Sequence, residues 1–384
     1  MNFEEEIAKL NEHFFFKEFT FSNNTFRPAP REEVELADSL IWLDDLAVIY
    51  QLKERHVSGT TSSEQETIWF EKKVLGRATQ QIRDTLKYLK ANDQIELENH
   101  KGHKSYLDPS TISITHNVVC YSAHDELPSE CRRKKIYKSS TAGVIHLFPA
   151  NDYLGIVRVL LTPSELSEYL SFREELFERW GTDVESVSEP ALIGHYLCGD
   201  IESAPSEDFV DYLVTLKHNA EEWDMSGVIK TFQDRITTDN DPADYYNIIA
   251  EIAKLKRNEL RQFKKRFLLS VEKCRAGEFA LPFRMAAPRT GCAFVFIPLE
   301  GDFIEHRRDG LLNLTHACKY DLKVDKCVGV SFAPEEDGWY SVEWCYLESP
   351  WEEDPELDAW LKENCPFRTV ETIELSRYDY EDSS

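Results

Sequence analysis

Residues 34–55, VELADSLIWLDDLAVIYQLKER, hold two apolar runs interrupted only at Asp44-Asp45. Apolar residues at nearly every position are the pattern of strands covered on both faces, so this segment belongs in the middle of a sheet. Yet Asp38 stands at one end and Lys53 at the other. Burying either charge alone is costly, and such groups are normally paired or put to use. With Asp44-Asp45 as a two-residue turn, Leu43 faces Leu46, Leu40 faces Ile49, and Asp38 falls opposite Gln51. Side chains alternate along strands, so Asp38, Gln51 and Lys53 share one face at the open end of the hairpin. The other face carries Ile41, Leu43, Leu46, Val48, Tyr50 and Leu52.

Around this hairpin the expected elements form an α/β unit over residues 1–160. Phe3, Ile7, Leu10 and Phe14 make one stripe of a helix over 3–16, and Val74, Ala78, Ile82, Leu86 and Leu89 make another over 71–89. NNTFRPAPREE reads as a loop, because it holds two prolines and two asparagines. QIELE, ISITHNVVCYS and VIHLF read as strands. Residues 161–277 are expected to be a mostly helical domain. It opens with Thr162 as cap, Pro163 in the first turn and Glu165 completing a capping box, and one helix ends at Gly181. Its last helix starts at Asp241-Pro242 and reaches Gly277, with room for a break. Residues 278–384 are expected to be a smaller α/β domain built on CAFVFIPL, CVGVSFAP and WYSVEWCYLE, with helices at 310–322 and 353–364.

Asp38 followed by Gln51-Leu52-Lys53 resembles the D-x(n)-(D/E/Q)-x-K core of the PD-(D/E)xK nuclease superfamily. The Gln-x-Lys version is similar to that of Mrr-like restriction endonucleases. The resemblance covers about the first 120 residues and implies a restriction-endonuclease-like mixed sheet flanked by helices. It also implies hydrolysis of phosphodiester bonds with Mg²⁺ or Mn²⁺ as cofactor, DNA as the expected substrate, and a restriction or antiphage setting. In such a site Asp38 and Gln51 would bind metal through oxygen, and Lys53 would orient or deprotonate the attacking water. The family often adds a glutamate from the first helix, for which Glu6 is the best match and Glu5 its rival. Gln81 matches the place of a substrate-contacting glutamine on the crossover helix. Glutamine in place of a carboxylate at position 51 removes a negative charge. A catalytically weak or inactive nuclease fold with a binding or regulatory role therefore stays open, as does an RNA-cleaving toxin-like enzyme.

Formal net charge is −26, a field that repels polyanions, so nucleic acid must be met by local basic clusters. The densest is ECRRKKIYK, whose Arg132, Arg133, Lys134 and Lys135 are candidate phosphate contacts; an ordinary solvated run is the competing reading. The nine cysteines form no CxxC pair and no zinc spacing, and His100, His103, His116 and His124 lack Glu or Cys companions. The aromatic run around Trp339, Trp344 and Trp351 reads as strand core in preference to a stacking surface. An acidic N-terminus, and apolar runs far shorter than the ~20 residues of a membrane span, lead us to expect a cytoplasmic protein without membrane contact. A homo-oligomer or a protein partner is left open.

Overall fold

The Asp44-Asp45 turn forms with Asp44 in the left-handed region at φ 50°. It joins β4 (Ser39–Leu43) to β5 (Leu46–Glu54) in the expected register, from Leu43 opposite Leu46 to Ser39 opposite Tyr50. The computed structural model describes residues 3–22, 24–29, 32–57, 59–218, 225, 243–335 and 338–368. Two compact units divide the chain, Met1–Lys217 and His218–Ser384.

The first unit is α/β, with a mixed six-stranded sheet. β1 (Thr20–Ser22), β4 and β5 run antiparallel. β8 (Ile114–Ser122) and β10 (Gly143–Pro149) run parallel to β5, and β9 (Ile136–Ser139) closes the far edge antiparallel to β10. A parallel step from β5 to β8 needs a crossover. It is supplied by α2 (Ser63–Trp69), an eight-residue π-helical stretch (Phe70–Arg77) and α3 (Ala78–Ala91). This rod starts eight residues before the position that periodicity indicated. Its start is fixed by a capping box: Ser62 accepts from the Gln65 backbone and Gln65 reaches back to Ser62. Its apolar side, Phe70, Val74, Ala78, Ile82 and Leu89, packs with Leu36, Leu40, Ala47, Ile49 and Val119 on one sheet face.

The opposite face is covered by α1 (Phe3–Phe14), α5 (Ala150–Val157) and α6 (Pro163–Trp180). There the Tyr153 hydroxyl of α5 donates to Asn11 Oδ1 at 2.6 Å and accepts from the Tyr50 hydroxyl at 2.9 Å, tying α1 to the hairpin. The segment expected as a loop pairs as a two-stranded ribbon, β2 (Thr25–Ala29) with β3 (Glu32–Glu35). Its ladder is irregular between Phe26 and Ala29, the kind of place where a strand tolerates a proline such as Pro28. β6 (Ile95–Glu98) and β7 (Lys104–Leu107) form a second ribbon outside the main sheet.

The helices expected as a middle domain do not form a unit of their own. α6, α7 (Glu189–Cys198) and α8 (Val210–His218) begin within the first unit, as does the earlier α4 (Ser129–Arg133), and α9 (Tyr246–Ala253) and α10 (Arg257–Ala276) belong to the second. Arg173 of α6 binds the Lys135 and Leu147 carbonyls of the first sheet, α7 packs against α5 and α6, and Phe263 of α10 stacks edge-on to Phe294 and Phe296 of the second. The expected start at Asp241-Pro242 lies outside the described residues. The helix ending at Gly277 is indeed broken, between Ala253 and Arg257.

The second unit is a four-stranded sheet in sequence order: β11 (Phe283–Ala287), β12 (Cys292–Pro298), β13 (Lys326–Pro334) and β14 (Tyr340–Glu348). β11 and β12 are an antiparallel hairpin. α11 (Arg307–Asp321) crosses over to β13, which is parallel to β12. α11 and α12 (Pro355–Asn364) cover the face of Ala293, Val295 and Ile297. The aromatic run is only partly core: Trp344 and Trp351 are half-buried and stack on Phe267 and Tyr320, whereas Trp339 is 63% exposed. Among the described residues no helix is long and apolar enough to cross a membrane.

Candidate functional site

β4 begins at Ser39, so beyond Tyr50 the β5 backbone has no strand partner on that side. Asp38 takes the vacant place. Its Oδ2 accepts the Leu52 backbone N–H at 2.5 Å and the Lys53 ammonium at 3.1 Å. Lys53 Nζ also donates to Gln51 Oε1 at 3.2 Å and to the Leu52 carbonyl at 2.8 Å. Alternation puts all three side chains on the face that carries Leu40, Ala47 and Ile49, under the crossover helix. Gln51 is 1% exposed, and the Asp38 and Lys53 side chains are 7% and 13% exposed. Two oxygens, one from the residue before β4 and one from β5, thus converge on one cationic nitrogen at the end of a buried sheet.

On the first helix Glu4 and the expected Glu6 are both exposed. Glu4 is held above the usual carboxylate range, by partial burial first and then by the negative charge of Asp38; Lys53 opposes the shift and Glu54 adds to it. Glu4 stands seven residues before Asn11, on the same side of α1. Asn11 is buried and reaches Ser39, the neighbour of Asp38.

Gln81 lies on α3 one turn before Thr85, whose hydroxyl donates to the Leu36 carbonyl, two residues from Asp38. Gln81 Oε1 is buried and has no hydrogen-bond partner among the described residues. The basic run divides. Arg133 is exposed and Lys134 half-buried. Arg132 donates to the Leu127 and His124 carbonyls at 3.0 and 2.5 Å and so holds the preceding loop. Lys135 is 4% exposed and bonds Glu189 Oε2 at 2.9 Å, in a buried cluster with Arg173 and Tyr169. Arg132 and Lys135 are therefore structural, and only Arg133 and Lys134 remain as candidates for contact with a ligand.

The converging donors are oxygens, which suits Mg²⁺ or Mn²⁺ more than a thiolate- or imidazole-preferring metal. Lys53 Nζ, between Asp38 Oδ2 and Gln51 Oε1, marks where positive charge is accommodated. Among the described residues no three His, Cys, Asp or Glu side chains group closely enough to enclose a metal ion. Asp38 and Gln51 would therefore hold such an ion with most of its shell left to water, and only after Lys53 moves aside. Comparison with protein-family models, curated proteins and solved structures gave no match.

Proposed function

We propose that the chain is a metal-dependent nuclease of the PD-(D/E)xK type that hydrolyses phosphodiester bonds of DNA. The observation carrying this reading is the meeting of Asp38, Gln51 and Lys53 at the open end of the β4–β5 hairpin. In the main sheet the order is helix, strand, strand following Asp38, strand carrying Gln51 and Lys53, crossover helix, strand; this supports the reading, because the family named by the resemblance has the order helix, strand, Asp-bearing strand, Lys-bearing strand, helix, strand. Asp38 and Gln51 would supply metal ligands, with Glu4 as a further carboxylate. A bound divalent ion would neutralise charge on the phosphodiester and acidify a water. Lys53, released from Asp38, would orient that water and offset charge developing on the phosphoryl oxygens.

A second reading, a binding or regulatory protein on a nuclease-like scaffold, is favoured by one feature. The Lys53 ammonium already neutralises Asp38 and occupies Gln51, so the site is closed by its own residues. The two readings separate in one assay. Duplex DNA and RNA are incubated with Mg²⁺ or Mn²⁺, using the wild type, Asp38→Ala and Lys53→Ala. The nuclease reading expects divalent-dependent cleavage of DNA that both variants lose. Equal activity in the variants contradicts it, and preference for RNA transfers the site to the toxin-like alternative.

A further inference from the structure

The π-helical stretch FEKKVLGR changes which side chains share a face. At α-helical winding each residue turns about 100°, and Lys72, Lys73 and Arg77 would spread over about 140°. An i→i+5 helix has about 4.4 residues per turn, which places Arg77 between Lys72 and Lys73 and gathers all three within about 80°. Gly76 suits this winding, since a Cβ there would meet the Glu71 carbonyl oxygen at 3.2 Å.

The three cations are exposed, and none has a hydrogen-bond or ion-pair partner among the described residues. Elsewhere cations are commonly paired, as in Lys104–Glu96, Lys138–Glu178 and Lys273–Glu278. The inner side of the stretch points to the site: Phe70 packs edge-on against Tyr121 at 5.4 Å, and Tyr121 is the in-register neighbour of Lys53. Thr67 and Glu71 act on Cys131 of α4, which brings Arg133 and Lys134 beside the same rod.

We infer that Lys72, Lys73 and Arg77, continued by Arg133 and Lys134, bind the phosphate backbone of duplex DNA and lead it to the Asp38–Gln51–Lys53 end of the sheet. The inference rests on the nuclease reading. Its occupant follows from charge: a free basic face on a chain of net charge −26 is the local exception through which a polyanion can approach. Such contacts position the duplex and carry no sequence preference of their own.

The test is fluorescence anisotropy of a labelled duplex, in EDTA to prevent cleavage, across a salt series. It compares the wild type, Lys72→Gln/Lys73→Gln/Arg77→Gln, and the control Lys87→Gln/Lys90→Gln on the same rod. Melting curves establish that each variant folds. The triple variant should bind at least tenfold more weakly at ~100 mM salt, with its salt slope reduced by about 2.7, while the control matches the wild type. Unchanged affinity and slope in the triple variant overturn the inference. If that variant still loses cleavage in Asp38→Ala, the nuclease reading survives the failure. A wild type that neither binds nor cleaves the duplex overturns both, and a preference for single-stranded RNA overturns the choice of duplex.

Discussion

The chain builds the same small scaffold twice and finishes it differently. In both units an antiparallel hairpin is followed by a crossover helix and a parallel strand, with an earlier helix on the opposite face. In the first unit the last hairpin pair is Ser39 and Tyr50, and just beyond it stand Asp38, Gln51 and, two residues on, Lys53. In the second the last pair is Phe283 and Phe296, and the corresponding positions are Pro282, Ile297 and Leu299. Both sets face the crossover helix, and Ile297 and Leu299 pack there in the core. The second unit thus closes this sheet end with apolar residues. A buried ion pair with an amide is a costly substitute, since desolvation offsets much of its attraction.

The strongest way to break the comparison is to give the first hairpin the second's ending. Asp38→Asn/Gln51→Ile/Lys53→Leu keeps an acceptor for the Leu52 N–H and removes the charges. Cleavage should fall by about 10³-fold or more, as when groups acting together on the transition state are removed. Stability by urea titration should hold or rise by about 1–4 kcal/mol. Lys53→Ala alone should instead lose about 3–5 kcal/mol, because Asp38 is left buried and unpaired. A triple variant that unfolds as readily as the single one would show that the polar set is structural.

The reverse transfer is the next largest effect. Ile297→Lys buries a charge with no partner and should cost about 3–5 kcal/mol or abolish folding of the second unit, read from its own unfolding transition. Tolerance of lysine there would mean that this sheet end is open to water, and the contrast would lose its meaning.

Acid should separate the units by a slightly smaller amount. Burial alone lowers His116 to about 4, and burial with the charges of Arg173 and His116 lowers His146 well below the usual imidazole range. A depressed histidine contributes stability that is present above about pH 6.5 and lost as the pH falls through its folded value. His116 alone should therefore cost the first unit about 3 kcal/mol between pH 6.5 and 4. The second unit buries no histidine among the described residues. Hydrogen exchange should show β8 and β10 losing protection on acidification before β12 and β13, and simultaneous loss would contradict this.

The smallest effect tests the helix-borne carboxylate. Glu4→Gln should weaken Mn²⁺-dependent activity by about 10-fold, the lower end of the range for groups that support a metal site, while Glu6→Gln leaves it unchanged. The opposite ranking would restore Glu6.

What could be read from sequence follows how local the deciding interaction is. The hairpin register was legible because the Asp44-Asp45 turn and the period-two pattern lie within one segment. The split of the middle helices was not, since periodicity shows which side of a helix is apolar but not which sheet it will cover. Lys135 looked like a surface cation because its partner, Glu189, lies 54 residues away. The π-helical winding left no mark in the apolar spacing, as Phe70 and Val74 satisfy an α-helical stripe equally well.

Under the proposed function, the Lys53 ammonium stands where a divalent cation would bind between Asp38 and Gln51. A crystal structure after soaking in Mn²⁺, with anomalous data, tests it most directly. The expected result is a peak bonded to Asp38 and Gln51 oxygens with Lys53 turned away. Lys53 Nζ still on both oxygens, with no peak at saturating Mn²⁺, would contradict it.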